Sequence, residues 1–155
     1  LFIDGIVCSS SNVRSAVERG DVSLANKMLG RPYALSGTVI SGKKLGRTYG
    51  FPTTNMVAPA GKVIPKYGVY ATTARIGDSA YRAITNVGIT SFDKVKVERV
   101  ETHLIGFDGD VYGQTMTVDF LCWMRGFVPF DSVDGLERQL QSDKKKRRTM
   151  TEGRS

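Results

Sequence analysis

The sequence has little of the chemistry that many catalytic and metal sites use. Its 155 residues include one histidine, His103, and two widely separated cysteines, Cys8 and Cys122. A zinc site with two or more histidines is therefore excluded, and any Ser-His-Asp or Cys-His catalysis would have to use His103. The cysteines show no metal-type spacing, so we expect reduced, structural thiols in a cytoplasmic protein.

Long apolar runs and a signal peptide are also missing. No hydrophobic stretch approaches the roughly 20 residues of a membrane span. No secretory leader is visible, although the sequence starts at Leu1 rather than Met. The composition, 41% hydrophobic and 24% charged, is ordinary for a globular protein. We expect one main domain with a small extra piece and no membrane association.

The net charge of +7 suggests a nucleic-acid partner, but its distribution opposes that interpretation. Residues 144–155 carry six Lys or Arg side chains and one Glu, a net +5 that leaves +2 for the rest of the chain. A nearly neutral body lacks the basic face of nucleic-acid-binding domains, and a basic tail is usually solvated. We therefore expect no nucleic-acid partner.

Hydrophobic spacing divides the chain into a helical start, a strand-rich middle and a final helix. Residues 9–31 predict two short helices, and Ser132 to about Lys145 predict the last one. Between them, apolar runs at 69–74, 82–89, 97–105 and 116–122 predict strands separated by turns; Met116, Val118, Phe120 and Cys122 are predicted to share a face. Strands without intervening helices favour an antiparallel barrel or sandwich over an α/β fold.

The densest functional signal is the segment Ser41–Asn55, which reads S-G-K-K-L-G-R-T-Y-G-F-P-T-T-N. Its glycines let the backbone approach a ligand, and free N–H groups with flanking cations suit phosphates. Thr53 and Asn55 add two neutral oxygen donors suited to Mg²⁺, with phosphates supplying the negative charge. The segment matches neither the Walker A nor the dinucleotide pattern, so local chemistry alone leaves a solvated hairpin loop equally open.

Six short motifs follow one another along the chain. They are G-x-x-L-G-R-x-x-G-F-P-T-x-N, G-V-Y, N-V-G, V-E-T-H-L, F-D-G-D-x-Y-G and R-x4-F-D-S, and the matching region covers about residues 30–143. This order resembles the riboflavin kinase (flavokinase) domain, in bacteria the C-terminal half of the bifunctional riboflavin kinase/FMN adenylyltransferase, or FAD synthetase. The resemblance implies a mainly β fold: a six-stranded antiparallel Greek-key barrel with a C-terminal helix and a short helical N-terminal segment. It also implies transfer of the ATP γ-phosphoryl group to the 5′-hydroxyl of riboflavin, giving FMN and ADP.

The N-terminal segment fits the same resemblance. Residues 8–14, C-S-S-S-N-V-R, look like the closing motif of the adenylyltransferase domain, although an ordinary helix cap at Ser9–Ser11 is an equally good interpretation. We expect residues 1–30 to be the end of that domain and a linker, 31–145 the kinase domain and 146–155 a basic tail. Because no H-x-G-H-type motif is present, we expect no FAD synthesis from this chain alone, and an adenylyltransferase domain before it in the full-length protein.

The resemblance assigns site residues by position. Glu101 matches the catalytic carboxylate, which would accept or orient the proton of the ribityl hydroxyl. Thr53 and Asn55 match the Mg²⁺ positions. The ATP-binding positions are Gly42, Lys44, Gly46, Arg47, Thr48, Thr53, Leu104, Gly106 and Tyr112. The flavin-binding positions are Arg125, Val128 and Phe130.

Simpler roles are open for the same residues. Glu101 could be a strand carboxylate paired with Arg99 or Arg82, and Arg125 could cap a strand end or pair with Asp131. Tyr112 could be a barrel residue that happens to touch nucleotide. For the whole chain, the main alternative is a non-catalytic flavin- or nucleotide-binding regulatory module of the same fold.

Two departures from the family pattern affect the site. Thr54 replaces the usual Ala of P-T-A-N, and we expect its small hydroxyl to be tolerated. After N-V-G, the family often has x-x-P-T-F, whereas this chain has I-T-S-F at 89–92. Loss of that proline loosens the loop before Glu101.

Overall fold

The computed structural model describes residues 2–3, 5–40, 53–92, 95–107, 109–126, 138 and 141–147. The chain starts with a small hairpin and two helices: β1 (Phe2–Ile3), β2 (Ile6–Val7), α1 (Ser10–Glu18) and α2 (Val22–Leu29). Six longer strands follow: β3 (Tyr33–Thr38), β4 (Thr53–Val57), β5 (Gly68–Ile76), β6 (Ser79–Phe92), β7 (Val95–Leu104) and β8 (Thr115–Arg125). Residues 141–147 are helical and are called α3.

The six longer strands form one antiparallel sheet in the order β3-β8-β5-β6-β7-β4. Strands β5, β6 and β7 form a meander, and β8 returns to pair with β5, which is Greek-key connectivity. The sheet curls until its two edges meet: the N–H of Ile40, just beyond β3, donates to the carbonyl oxygen of Asn55 on β4 at 2.7 Å. The predicted six-stranded antiparallel fold is therefore confirmed.

The inside of the curled sheet holds the main core. Its largest fully buried side chains include Tyr70, Phe120, Leu35, Met56 and Leu104. Three buried threonines, one on each strand of the meander, add a polar row: the Thr85 hydroxyl lies 2.9 Å from the hydroxyls of both Thr72 and Thr102. Because each hydroxyl meets another, this row satisfies buried polar groups without charge.

The period of β8 breaks before its end. Met116, Val118 and Phe120 enter the main core as predicted, but Cys122 packs against a second cluster on the other side of the sheet. A register shift between β5 and β8 at Ala71/Thr72 inserts the extra residue that causes this change. The prediction that Cys122 shares the face of Phe120 is therefore wrong.

Helices α1 and α2 confirm the two predicted from residues 9–31. The Ser9 hydroxyl accepts the N–H of Asn12, which caps α1, and Gly30 closes α2 at φ 76°. The hairpin is joined to the barrel: Val22 lies in the main core, and the side-chain amide of Asn26 donates to the Phe120 carbonyl at 2.7 Å. The predicted boundary at residue 30 thus falls between elements that pack together.

Helix α3 packs on the outer face of β5 and β6 through a buried cation. The Arg147 side chain is fully buried, and its Nη2 and Nε donate to the carbonyl of Thr72 at 2.8 and 3.2 Å. Nε also donates to the carbonyl of Ala83 at 3.1 Å. Arg147, which the charge pattern places in a solvated tail, is instead an anchor. In the part of the chain described here, no helix combines the length and the apolar character that crossing a membrane requires.

Candidate active site

Three polar side chains form a row across β4, β7 and β6. Asn55 is directly opposite Glu101, and Glu101 is directly opposite Asn86 on the next strand. Directly opposed residues have Cβ atoms roughly 5 Å apart, within side-chain reach. Because the neighbouring residues Thr54 and Thr102 are buried in the barrel, the row lies on the outer face of the sheet. The fold therefore brings the predicted catalytic carboxylate beside one predicted metal position.

The next row along the same strands contains the other predicted metal position. Thr53 is directly opposite His103, which is opposite Ile84 on β6. Since alternate residues of a strand share a face, His103 and Glu101 lie side by side on β7. Two adjacent rows therefore place Thr53, His103, Asn55 and Glu101 as a compact set.

Glu101 lies beside the single histidine. Its Oε1 lies 3.3 Å from Nε2 of His103, and the side chains are 32% and 5% exposed respectively. Sequence reasoning considered Arg99 and Arg82 as partners for Glu101 and did not consider His103. The spacing of Glu101 and His103 already indicated this contact, because residues two apart on a strand lie on the same face.

Asn55 offers a hard oxygen donor in a confined place. The residue is 4% exposed, and its backbone carbonyl is taken by Ile40. An amide oxygen beside a carboxylate suits Mg²⁺, which commonly uses few protein ligands together with substrate phosphates. Among the described residues there is no group of three or more His, Cys, Asp or Glu side chains that could hold a metal. The donor set therefore fits a metal shared with a phosphate ligand rather than an all-protein cage.

The Thr54 hydroxyl is accommodated as expected. It donates to the carbonyl of Thr102 at 3.2 Å and lies 3.5 Å from the sulfur of Met116. A buried hydroxyl with such partners costs little. The substitution therefore leaves β4 and β7 paired next to Asn55 and Glu101.

Arg125 lies at the far end of the same row. Asn86 is opposite Val69 on β5, and Val69 is opposite Arg125 on β8, so three strand spacings of about 4.8 Å each separate Arg125 from Glu101. Its guanidinium is bound by Asp143 of α3, through Nη2 at 2.6 Å and Nε at 3.1 Å. Arg125 therefore forms an ion pair with Asp143, whereas Asp131, the partner considered from the sequence, lies outside the described residues; the flavin role stays a prediction.

The described ATP-side positions differ in accessibility. Leu104 is a core residue, 1% exposed, whereas the Tyr112 ring is 64% exposed. Gly106 follows β7 in the left-handed region, with φ 79°. Of the three, Tyr112 is the one whose side chain is free to cover a nucleotide. Seven predicted positions lie outside the described residues: Gly42, Lys44, Gly46, Arg47, Thr48, Val128 and Phe130.

The N-terminal serine motif borders a separate cavity of about 420 Å³. Ser9, Ser10 and Arg14 line one side, and its apolar lining includes Met28 and Tyr33. Because the Ser9 hydroxyl already accepts the N–H of Asn12, the helix-cap interpretation is satisfied. The resemblance of this motif to a nucleotide site stays a prediction.

Comparisons with known proteins identify relatives over nearly the whole chain. A sequence model of the family described as Flavokinase, riboflavin kinase, matches residues 29–151. The bifunctional riboflavin kinase/FMN adenylyltransferase of Bacillus subtilis is 37% identical over 139 residues, which are 88% of this chain and 44% of the relative. That of Haemophilus influenzae is 36% identical over 142 residues, 91% of this chain and 46% of the relative. The chain thus spans less than half the length of these relatives.

Solved structures agree with the fold. A protein from Streptococcus pneumoniae, described as a macrolide-efflux protein, is similar with a TM-score of 0.90 and 34% identity, over 97% of this chain and 50% of its own. A riboflavin kinase from Trypanosoma brucei is similar with a TM-score of 0.51 and 23% identity, over 76% of this chain and 78% of its own. The second likeness shows the fold alone. The family model and the curated relatives show that this chain belongs to the riboflavin kinase family.

Proposed function

We propose that this chain is a riboflavin kinase, which transfers the γ-phosphoryl group of ATP to the 5′-hydroxyl of riboflavin and releases FMN and ADP. The observation that carries the proposal is the pairing of Asn55 directly opposite Glu101, within a chain of the riboflavin kinase family. Phosphoryl transfer depends mainly on positioning and charge neutralisation. The pairing supports the proposal because Glu101, the proposed proton acceptor, lies opposite Asn55, a proposed metal position. No observation favours the non-catalytic regulatory alternative.

Glu101 is the proposed catalytic carboxylate. It would accept the proton of the attacking hydroxyl or orient that hydroxyl in line with the γ-phosphoryl group. Its side chain is 32% exposed, so a substrate hydroxyl can reach it, while pairing of β7 with both β4 and β6 fixes its backbone position. Asn55 and Thr53 would hold Mg²⁺, which when bound supplies charge neutralisation at the β- and γ-phosphates.

The ATP and flavin positions are proposed from the family motifs. Gly42, Lys44, Gly46, Arg47 and Thr48 would cover the ATP phosphates. Leu104, Gly106 and Tyr112 would border the adenine and ribose, with the exposed Tyr112 ring as the main contact. Arg125, Val128 and Phe130 would bind the flavin.

The full-length protein is proposed to be longer and to add a second activity. The curated relatives are bifunctional, and this chain matches less than half of each. We propose that an FMN adenylyltransferase domain precedes the chain and that the chain alone makes no FAD. A cytoplasmic location is proposed as well; the free thiols of Cys8 and Cys122 support a reducing compartment.

The test is FMN formation from riboflavin, ATP and Mg²⁺, followed by chromatography with FAD in the same trace. We expect FMN without FAD. Glu101→Gln should retain ATP and flavin binding while turnover falls at least about a hundredfold. Glu98→Gln is the matched control. Glu98 is on the same strand, but its carboxylate accepts a hydrogen bond of 2.7 Å from the Tyr67 hydroxyl, outside the proposed site. Flavin binding without FMN formation would favour the regulatory module, and near-normal turnover of Glu101→Gln would remove Glu101 from its role.

A further inference from the structure

A histidine lies beside the proposed catalytic carboxylate, and the role inferred for it below rests on the proposed function. His103 is the only histidine in the sequence, and its Nε2 lies 3.3 Å from Oε1 of Glu101. We propose that His103 is a positioning residue: its buried Nε2 lies 3.3 Å from the Glu101 carboxylate, a contact short of hydrogen-bond geometry in this structure, and would donate to that carboxylate when the substrate hydroxyl binds. It acts through Glu101 and need not touch the substrate.

Burial makes the imidazole a fixed support. The His103 side chain is 5% exposed, whereas that of Glu101 is 32% exposed. His103 is paired with Thr53 on β4 and with Ile84 on β6, so its strand has a neighbour on each side. A long carboxylate side chain has several rotamers and loses entropy when one is selected. A neighbour that is already immobile can select that rotamer before the substrate arrives.

The chemistry of imidazole suits this task better than that of a cationic side chain. A neutral imidazole donates through one ring nitrogen without carrying a charge. A permanent cation at the same 3.3 Å separation would stabilise the ionised carboxylate and weaken it as a proton acceptor. A carboxylate also has a second oxygen, so contact at Oε1 is compatible with proton acceptance at the other. A neutral imidazole can therefore orient Glu101 without placing a second charge beside it.

Kinetics of three His103 variants test the positioning role. His103→Ala should lower kcat at least about tenfold while the KM values for ATP and riboflavin change less than about twofold. His103→Gln should recover most of the lost kcat, because its amide nitrogen can occupy the place of Nε2. His103→Asn, which is shorter and cannot reach Glu101 in the same way, should not. Equal kcat values for the Gln and Asn variants would overturn the proposal. This comparison tests the proposal even if the Ala variant does not fold.

A double-mutant cycle separates action through Glu101 from a general structural effect. In the Glu101→Gln background, His103→Ala should lower the residual kcat by less than about twofold, because the group it positions is already lost. The same tenfold loss in both backgrounds would show that His103 acts on something other than Glu101. A uniform loss of thermal stability without this coupling would likewise assign His103 to packing alone.

Nuclear magnetic resonance gives a readout that does not depend on kinase activity. With one histidine in the sequence, the ring ¹⁵N resonances are unambiguous, and they report which ring nitrogen carries the proton. Glu101→Gln should shift the Nε2 resonance, whereas Glu98→Gln should leave it unchanged. Unchanged ring resonances in Glu101→Gln would overturn the contact on which the proposal depends. Absence of FMN formation by the unaltered chain, with the Nε2 shift still observed, would instead count against the proposed function alone.

Discussion

Arg125 and Asp143 form a bidentate ion pair that joins the last strand of the sheet to helix α3. Nη2 and Nε of Arg125 donate to the two carboxylate oxygens of Asp143 at 2.6 and 3.1 Å, and the side chains are 22% and 5% exposed. Nη1 donates to the carbonyl of Gly126 at 3.1 Å. A guanidinium proposed to bind flavin is thus already fixed in orientation by the protein, and a flavin would meet its remaining N–H groups.

Removing the charge of Asp143 should loosen α3. We expect Asp143→Asn to lower the free energy of unfolding by about 2 kcal/mol, because Arg125 loses a charged acceptor in a largely buried place. Urea denaturation followed by circular dichroism measures this change. The matched control is Asp119→Asn on β8, where Asp119 pairs bidentately with Arg75, whose side chain is 52% exposed. The control should cost less than about 1 kcal/mol, and equal costs would contradict a role for burial at Asp143.

Gly68 should tolerate no side chain. A Cβ there would clash with Cη2 and Cζ3 of the Trp123 ring and lie 3.0 Å from the carbonyl oxygen of Arg125. Trp123 is confined in turn by an edge-to-face contact with Tyr70, with ring centroids 5.4 Å apart. We expect Gly68→Ala to lower the free energy of unfolding by about 1–3 kcal/mol through overpacking. Gly126→Ala is the control, since its Cβ would meet the same ring at 3.9 Å, an ordinary contact; a similar loss there would refute the steric explanation.

The row of buried threonine hydroxyls should contribute to stability through its central member. Thr85→Val keeps the shape but removes the hydroxyl that lies 2.9 Å from both Thr72 and Thr102. Because the interior is closed to water, we expect a loss of about 1–3 kcal/mol in the free energy of unfolding. Thr115→Val, at an exposed position on β8, should change it by less than about 0.5 kcal/mol. If Thr85→Val leaves the free energy of unfolding unchanged, the threonine row does not contribute to stability.

The sequence predicted where strands and helices lie better than it predicted which side chains of a strand face the core. Alternation placed Met116, Val118 and Phe120 in the core correctly, because strand period is a local property. The same rule failed at Cys122, which packs against a cluster on the other side of the sheet. The register shift that reverses its face depends on how β5 and β8 pair, and strands so far apart in sequence leave no local signal of their register.

The candidate site shows the same division between local and long-range information. That Glu101 and His103 share a face follows from their spacing of two residues, and it could have been read from the sequence. That Asn55 lies opposite Glu101 depends on the pairing of β4 with β7, which the structure alone gives. Asp131, the partner considered for Arg125 from the sequence, lies outside the described residues. The ion pair with Asp143 depends on the position of α3 on the barrel, where Arg147 contacts strand carbonyls.

Tyr70 should make the fold sensitive to alkali. Burial raises the pKa of the Tyr70 phenol, whose hydroxyl donates to the carbonyl of Lys66 at 2.5 Å, well above the ordinary value of 10.0. The folded state therefore keeps this proton while the unfolded chain releases it. The contribution of Tyr70 to stability is complete below pH about 10 and declines as pH rises above that value.

The measurement is the free energy of urea unfolding at several pH values between about 8 and 11. Above pH about 10, the unaltered chain should lose up to about 1.4 kcal/mol per pH unit more than Tyr70→Phe, which has no phenol proton to release at that position. Burial also raises the pKa of Tyr33, and the hydrogen bond to Glu98 raises that of Tyr67. The free energy of unfolding of Tyr70→Phe should therefore still fall with rising pH, but less steeply. Tyr112→Phe, at a 64% exposed ring, should follow the unaltered chain. If the free energy of unfolding of Tyr70→Phe falls with pH as steeply as that of the unaltered chain, burial does not raise the pKa of Tyr70. The loss of stability in alkali would then come from another group.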